Sequence, residues 1–178
     1  MDEDFKSRIE KSNASSFSRN YFKNAVLNQT YTLLDLLELA TDLSNKNNYK
    51  AIWIIELIAE ENTTILSNHL SVLISKAPHY SNQSAIRGMS RILYFISTSP
   101  VLKLDDLQKN NLIEICLDWF IGNQKVACKA YALKTLTHFR NQFPWLKTTI
   151  QDLIEKEYTQ QSAGYQAAAR EALSKINR

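Results

Sequence analysis

Three histidines and two cysteines are the residues best suited to metal or nucleophilic chemistry, and their spacing argues against both. His69, His79 and His138 never stand three or four residues apart, and none adjoins a cysteine or carboxylate at a metal-ligand interval. Cys116 and Cys128 lie inside apolar helical patterns without a CxxC arrangement. There a free thiol packs as a small hydrophobe. The acidic pair Asp105–Asp106 could in principle work as general acid and base. It stands where a helix begins, however, and carboxylates there meet the positive end of the helix dipole. No G-x-S-x-G, G-x-G-x-x-G, H-E-x-x-H or phosphate-binding loop occurs. The expectation is a non-enzymatic protein with no catalytic residue, cofactor or metal.

The elements that carry these residues are bounded by composition. A chain of 178 residues is one domain on the usual scale of ~100–200 residues. The net charge of +3 is mild, where nucleic-acid binders usually show a strong basic excess on one face. Glycine and proline are scarce, at three each. A sandwich or barrel needs many tight turns, so long helices with short connections are expected. The start, M-D-E-D-F-K-S-R, lacks the basic and apolar regions of a signal peptide. The longest apolar run, A-I-W-I-I-E-L-I-A, is interrupted by Glu56 and is far shorter than the ~20 residues that cross a bilayer. A cytoplasmic protein that does not engage membranes is the expectation.

Apolar residues recur at helical intervals almost throughout, and no strand is expected. Phe5 and Ile9 are four apart, but the polar S-N-A-S-S breaks their pattern. A helix is predicted over 16–27 with Phe17, Tyr21, Phe22 and Ala25 inward, and Thr30 is predicted to cap the next. Further helices are predicted over 48–60, from Asn62 or Thr63 to Pro78, from Ser81 until S-T-S-P ends it at Pro100, over 104–121, over 123–142, from Pro144, and from Ser162 to the end. Gly122 is predicted to close its helix in the left-handed conformation. Trp53, Trp119, Phe120 and Trp145 read as core or inter-repeat filler.

Alternate helices superimpose. N-Y-K-A-I-W-I-I-E-L-I, S-A-I-R-G-M-S-R-I-L, V-A-C-K-A-Y-A-L-K-T-L and A-G-Y-Q-A-A-A-R-E-A-L each carry a polar residue: Lys50, Arg87, Lys129 and Gln166. These stand 37, 42 and 37 residues apart. Three residues on come Trp53, Ser90, Ala132 and Ala169, small in three of four. A period of ~40 residues holding two helices marks a helical repeat array. The small residues would let neighbouring helices approach, and such a contact would also account for Gly88 inside a helix.

I-R-G-M-S-R-I-L (86–93) and K-A-Y-A-L-K-T-L (129–136) resemble the HEAT/armadillo motif V-R-x-x-A-x-x-A-L. W-I-I-E-L and C-L-D-W-F-I followed by K-V-A-C-K-A-Y-A-L are similar to short bacterial HEAT-like proteins of unassigned role. The resemblance spans about residues 48–178, and more weakly the helices before. It implies an all-α, right-handed α-α superhelix of about four helix pairs plus a terminal helix. Residues 1–178 then form a single HEAT-like domain with repeats at about 15–45, 47–79, 81–121 and 123–159, and a terminal helix at 161–178.

Two enzyme readings fail on the residues. A HEAT-like DNA glycosylase would use aromatics and an acid, for which Trp53, Trp119 and Asp118 are available, but no motif places them. A fumarase-type lyase needs an S-S-x-M-P-x-K-x-N loop, whereas Met89 is followed by Ser90-Arg91-Ile92. Charge distinguishes the binding readings. Lys50, Arg87, Arg91, Lys125, Lys129, Lys134, Arg140 and Arg170 fall on the first helix of each pair. The second helices lean acidic, and in HEAT-like solenoids they line the concave face. The charge pattern then gives a scaffold whose mildly acidic groove takes a basic or helical segment of an unidentified protein, unless these are solvated helix faces with no ligand. Its candidate groove residues are Asp106, Lys109, Glu114, Asp118, Gln151, Asp152 and Glu155. The alternative is nucleic acid held through phosphates by Arg87, Arg91, Lys125 and Lys129.

Overall fold

The computed structural model describes residues 2–177, which fold as α-helices and short 3-10 turns without a strand. The helices are α1 (Glu3–Glu10), α2 (Ser16–Leu27), α3 (Leu33–Thr41), α4 (Asn48–Glu61), α5 (Leu70–Lys76), α6 (Gln83–Thr98), α7 (Asp106–Ile121), α8 (Val126–Phe139), α9 (Trp145–Glu157) and α10 (Ala163–Ile176). The all-α reading is borne out.

Side chains start most of these helices by accepting backbone N–H groups that have no intrahelical partner. Asp2, Ser15 and Ser162 do so for α1, α2 and α10. Asp105 accepts from the Gln108 N–H while the Gln108 side chain accepts from the Asp105 N–H. This capping box settles the acidic pair as a helix start. The cap of α3 is Thr32, where Thr30 was expected. Gln29 enters the left-handed region at φ 61° and the Thr30 N–H bonds back to the Ala25 carbonyl, so Thr30 is engaged in ending α2. Asn82 caps α6 in place of Ser81. Past Asn62 the chain first forms a 3-10 turn, Thr63–His69, before α5.

Three further expectations are corrected. Residues 3–10 do form a helix, with Phe5 and Ile9 fully buried. On α2 the inward pair is Phe22 and Val26, while Phe17 is 84% exposed and Tyr21 is also exposed. Both spacings suit a helix, and it is the Phe22 ring that reaches Phe5, at 6.2 Å between centroids. Gly122 is extended, at φ −69° and ψ 178°, not left-handed. Glycine is needed there because a Cβ would stand 2.7 Å from the Asp118 carbonyl oxygen.

The chain divides into two compact units, Met1–Ile96 and Ser97–Arg178. In the first, α1, α2 and α3 pack on α4. That explains the apolar run of α4: Ala51, Ile52, Ile54, Ile55, Ile58 and Ala59 are all buried. Gly88 of α6 meets α4 so closely that a Cβ would lie 2.6 Å from Ile52 Cγ2. The expected close contact at this glycine is present. In the second unit α8 is central, packed along α7 and α10, with α9 resting on both α8 and α10. Ala132 and Ala169, at equivalent repeat positions, have no exposed surface. Phe120 of α7 stacks on Tyr165 of α10, with centroids 5.7 Å apart and the rings nearly parallel.

At the first and last of the four repeats the polar position is a fastener. Lys50 donates to the carbonyls of Glu10 and Ser12, at the end of α1. Gln166 donates to those of Tyr158 and Gln161, beyond the end of α9. Each satisfies carbonyls that a helix end leaves without partners.

Candidate interaction surface

The proposed groove residues lie on two helices of the second unit. Asp106, Lys109, Glu114 and Asp118 are on α7; Gln151, Asp152 and Glu155 are on α9. The five acids are exposed, whereas Lys109 and Gln151 are half-buried and engaged. Lys109 pairs with Asp106 at 3.2 Å, and the Gln151 amide donates to the Asn177 side chain at 3.2 Å.

Partnering sets four of these acids apart. Carboxylates elsewhere are mostly engaged: Glu56 and Glu60 hold Arg91, Glu61 holds Lys23, Glu157 holds Lys129, and Glu171 holds Lys134 and Lys175. Among the described residues Glu114, Asp118, Asp152 and Glu155 have no hydrogen-bond or ion-pair partner; Glu3 is the other such carboxylate. Glu114 and Asp118 are one turn apart, where like charges repel.

Three large apolar side chains share the outer faces of these helices. Leu107 and Ile121 of α7 are 70% and 54% exposed, and Trp145 of α9 is 50% exposed. At 100° per residue, Leu107 and Ile121 fall on the same side of α7 as Glu114, away from the buried Leu112, Cys116, Trp119 and Phe120. Trp145 falls with Asp152, seven residues on. Sequence reasoning missed Leu107 and Ile121 and took Trp145 for filler. The available signal was that none of the three lies on the buried stripe of its helix.

The basic candidates divide. Arg87 and Lys125 are exposed. Arg91 instead bonds Glu56 and Glu60 and lies over the Phe95 ring. Lys129 is buried, pairs with Glu157 at 3.4 Å and faces the Tyr165 ring. The proposed phosphate ridge thus has two of its four members turned to internal partners.

Other groups capable of chemistry are dispersed. Both cysteines are buried and neither is in a disulfide, and burial pushes the Cys116 thiol up to about 12, far from a reactive thiolate. His138 is shifted downward by burial and by the nearby positive charge of Arg140. Among the described residues no three His, Cys, Asp or Glu side chains converge as a metal site. No helix among the described residues is long and apolar enough to cross a membrane. Two cavities are an apolar one of about 510 Å³ in the first unit, lined by Val26, Leu27, Tyr31, Leu33 and Ile65, and a polar one of about 380 Å³ in the second, lined by Lys103, Lys109, His138 and Gln142. Neither contains a pair of groups arranged for acid–base or nucleophilic work.

Residues 1–176 match the family model described as a HEAT repeat domain. No curated protein and no solved structure matches the chain.

Proposed function

Since the chain belongs to the HEAT repeat domain family, whose repeats generally mediate protein–protein interaction, we propose that it is a non-enzymatic scaffold whose working surface is the acidic outer side of α7 and α9. Glu114, Asp118, Asp152 and Glu155 supply the charge; Leu107, Ile121 and Trp145 supply apolar area. The partner is a protein segment of basic character. The observation that carries this reading is the concentration of unpartnered carboxylates on two helices of a chain that is net basic. Exposed like charges with no internal partner do nothing for the fold, and they attract a cationic surface.

The test is affinity capture from native cytosol with the wild-type chain and with Glu114→Lys/Asp118→Lys. Specific protein partners retained by the wild type are expected to be lost by the charge-reversed protein. Recovery of the same partners after reversal overturns the reading. The nucleic-acid alternative is weakened by the internal partners of Arg91 and Lys129. It returns if the protein retains DNA at ~50 mM salt and releases it steeply by ~200 mM.

A further inference from the structure

Leu107, Glu114 and Ile121 stand at seven-residue intervals on α7, and Asn110 and Leu117 fall three residues after the first two. These are the a and d positions of a heptad: Leu107, Asn110, Glu114, Leu117, Ile121. In the same register Asp106 takes a g position and Asp118 an e position. A register alone is common in helices. Here it lies on the side of α7 opposite the residues that bury it in the core. Leu107 and Ile121 are open to solvent, and Leu117 is half-buried. A helix turned inward by one stripe thus carries a second stripe outward, about 21 Å long at 1.5 Å per residue.

We propose that α7 docks one amphipathic basic helix of another protein along this stripe, in coiled-coil fashion. This rests on the reading of α7 and α9 as the working surface and specifies the partner. Leu107, Leu117 and Ile121 supply the apolar seam. Glu114 and Asp118 select lysine or arginine at the middle of the partner helix, and Asn110 fixes the register.

A second copy of this chain is the wrong occupant. Paired in parallel, α7 against α7 sets Glu114 opposite Glu114; paired antiparallel, where a positions face d positions, it sets Glu114 against Asn110 or Leu117, with no cation to meet it. The neighbouring Asp118 adds to the repulsion. Juxtaposed like charges suppress such a pairing, whereas a cation at that position relieves the repulsion between Glu114 and Asp118.

The probe is a synthetic helical peptide of three heptads, with leucine at the outer a and d positions and lysine at the central a and flanking e and g positions. Controls are the same peptide with glutamate for lysine and a scramble of the lysine peptide. Fluorescence anisotropy against the full chain is expected to show the lysine peptide binding about tenfold tighter than either control. Glu114→Lys/Asp118→Lys should reverse the preference between the lysine and glutamate peptides. Leu107→Ala/Ile121→Ala should weaken the lysine peptide by about fivefold with an unchanged melting temperature. Equal binding of the lysine peptide and its scramble, or no binding of the lysine peptide, overturns the proposal. If that failure coincides with partner capture that still depends on Glu114 and Asp118, the docked helix is discarded and the acidic-surface reading stands. Loss of both discards both.

Discussion

At the residue scale the tightest constraint is Gly88. Alanine would favour the helix by about 1 kcal/mol, but its Cβ would lie 2.6 Å from Ile52 Cγ2 and 3.3 Å from Glu56 Oε2. Overpacking of this kind costs about 1–3 kcal/mol, so steric conflict wins. Gly88→Ala is expected to lower stability by about 1–2 kcal/mol in urea unfolding, and by less in an Ile52→Ala background. Beside it, Glu56 is wholly buried and faces Arg91. Removing the cation strands a charge in the interior, which costs about 3–5 kcal/mol. Arg91→Ala should therefore be among the most destabilising single changes on α6. Glu56→Gln, which leaves an uncharged amide, should cost clearly less. Equal costs would mean the pair is not acting as an ion pair.

At the element scale α4 and α7 illustrate two kinds of helix. α4 is surrounded, and its sequence says so: apolar residues run almost without a gap. α7 is packed on one side only. Leu112→Ala, on the packed side, should cost about 2–5 kcal/mol, whereas Leu107→Ala should stay within about 0.5 kcal/mol. Thermal unfolding of the two variants checks this, and a large loss from Leu107→Ala would make that side chain part of the core. The element order was legible from spacing because each helix repeats its apolar residues and most start on a capping side chain, as at Asp105 and Ser162. The facing of α2 was not. Phe17–Tyr21 and Phe22–Val26 are equally good helical pairs, and the choice is made by Phe5, in a helix that S-N-A-S-S appeared to exclude. Part of the surface was legible as well. Glu114, Asp118, Asp152 and Glu155 could be singled out by charge, but that they lack partners depends on where the lysines and arginines reach. Arg91 and Lys129 went unrecognised as internal for the same reason: a long cationic side chain on a helix gives no sign in sequence of which way it turns.

At the scale of the whole molecule, charge governs both stability and recognition. Asp35 is held below the usual carboxylate range by the Thr32 hydroxyl, Asp42 by the Ser44 hydroxyl, and Glu171 by hydrogen bonding to Lys175. His138 is also lowered, by burial and then Arg140. Each group binds its proton less tightly when folded, so each contributes stability that is present above its unfolded pKa and lost as pH falls through its folded one. The His138 contribution begins to fade below pH ~6.5, and those of the carboxylates below pH ~4. The melting temperature is expected to fall steadily on acidification, with His138→Gln flattening the upper part of the profile and Glu171→Gln the lower. A melting temperature that rises from pH 7 to 5 would contradict this assignment.

α7 and α9, which hold two unpartnered acids each, are expected to be where the protein meets its partner. A photo-crosslinking amino acid placed at Asn110 of α7, at Thr148 of α9, or at Arg87 of α6 tests this in native cytosol. The account predicts adducts to a common protein from positions 110 and 148 and none from 87. Adducts formed only at position 87, or to nucleic acid in place of protein, would contradict it.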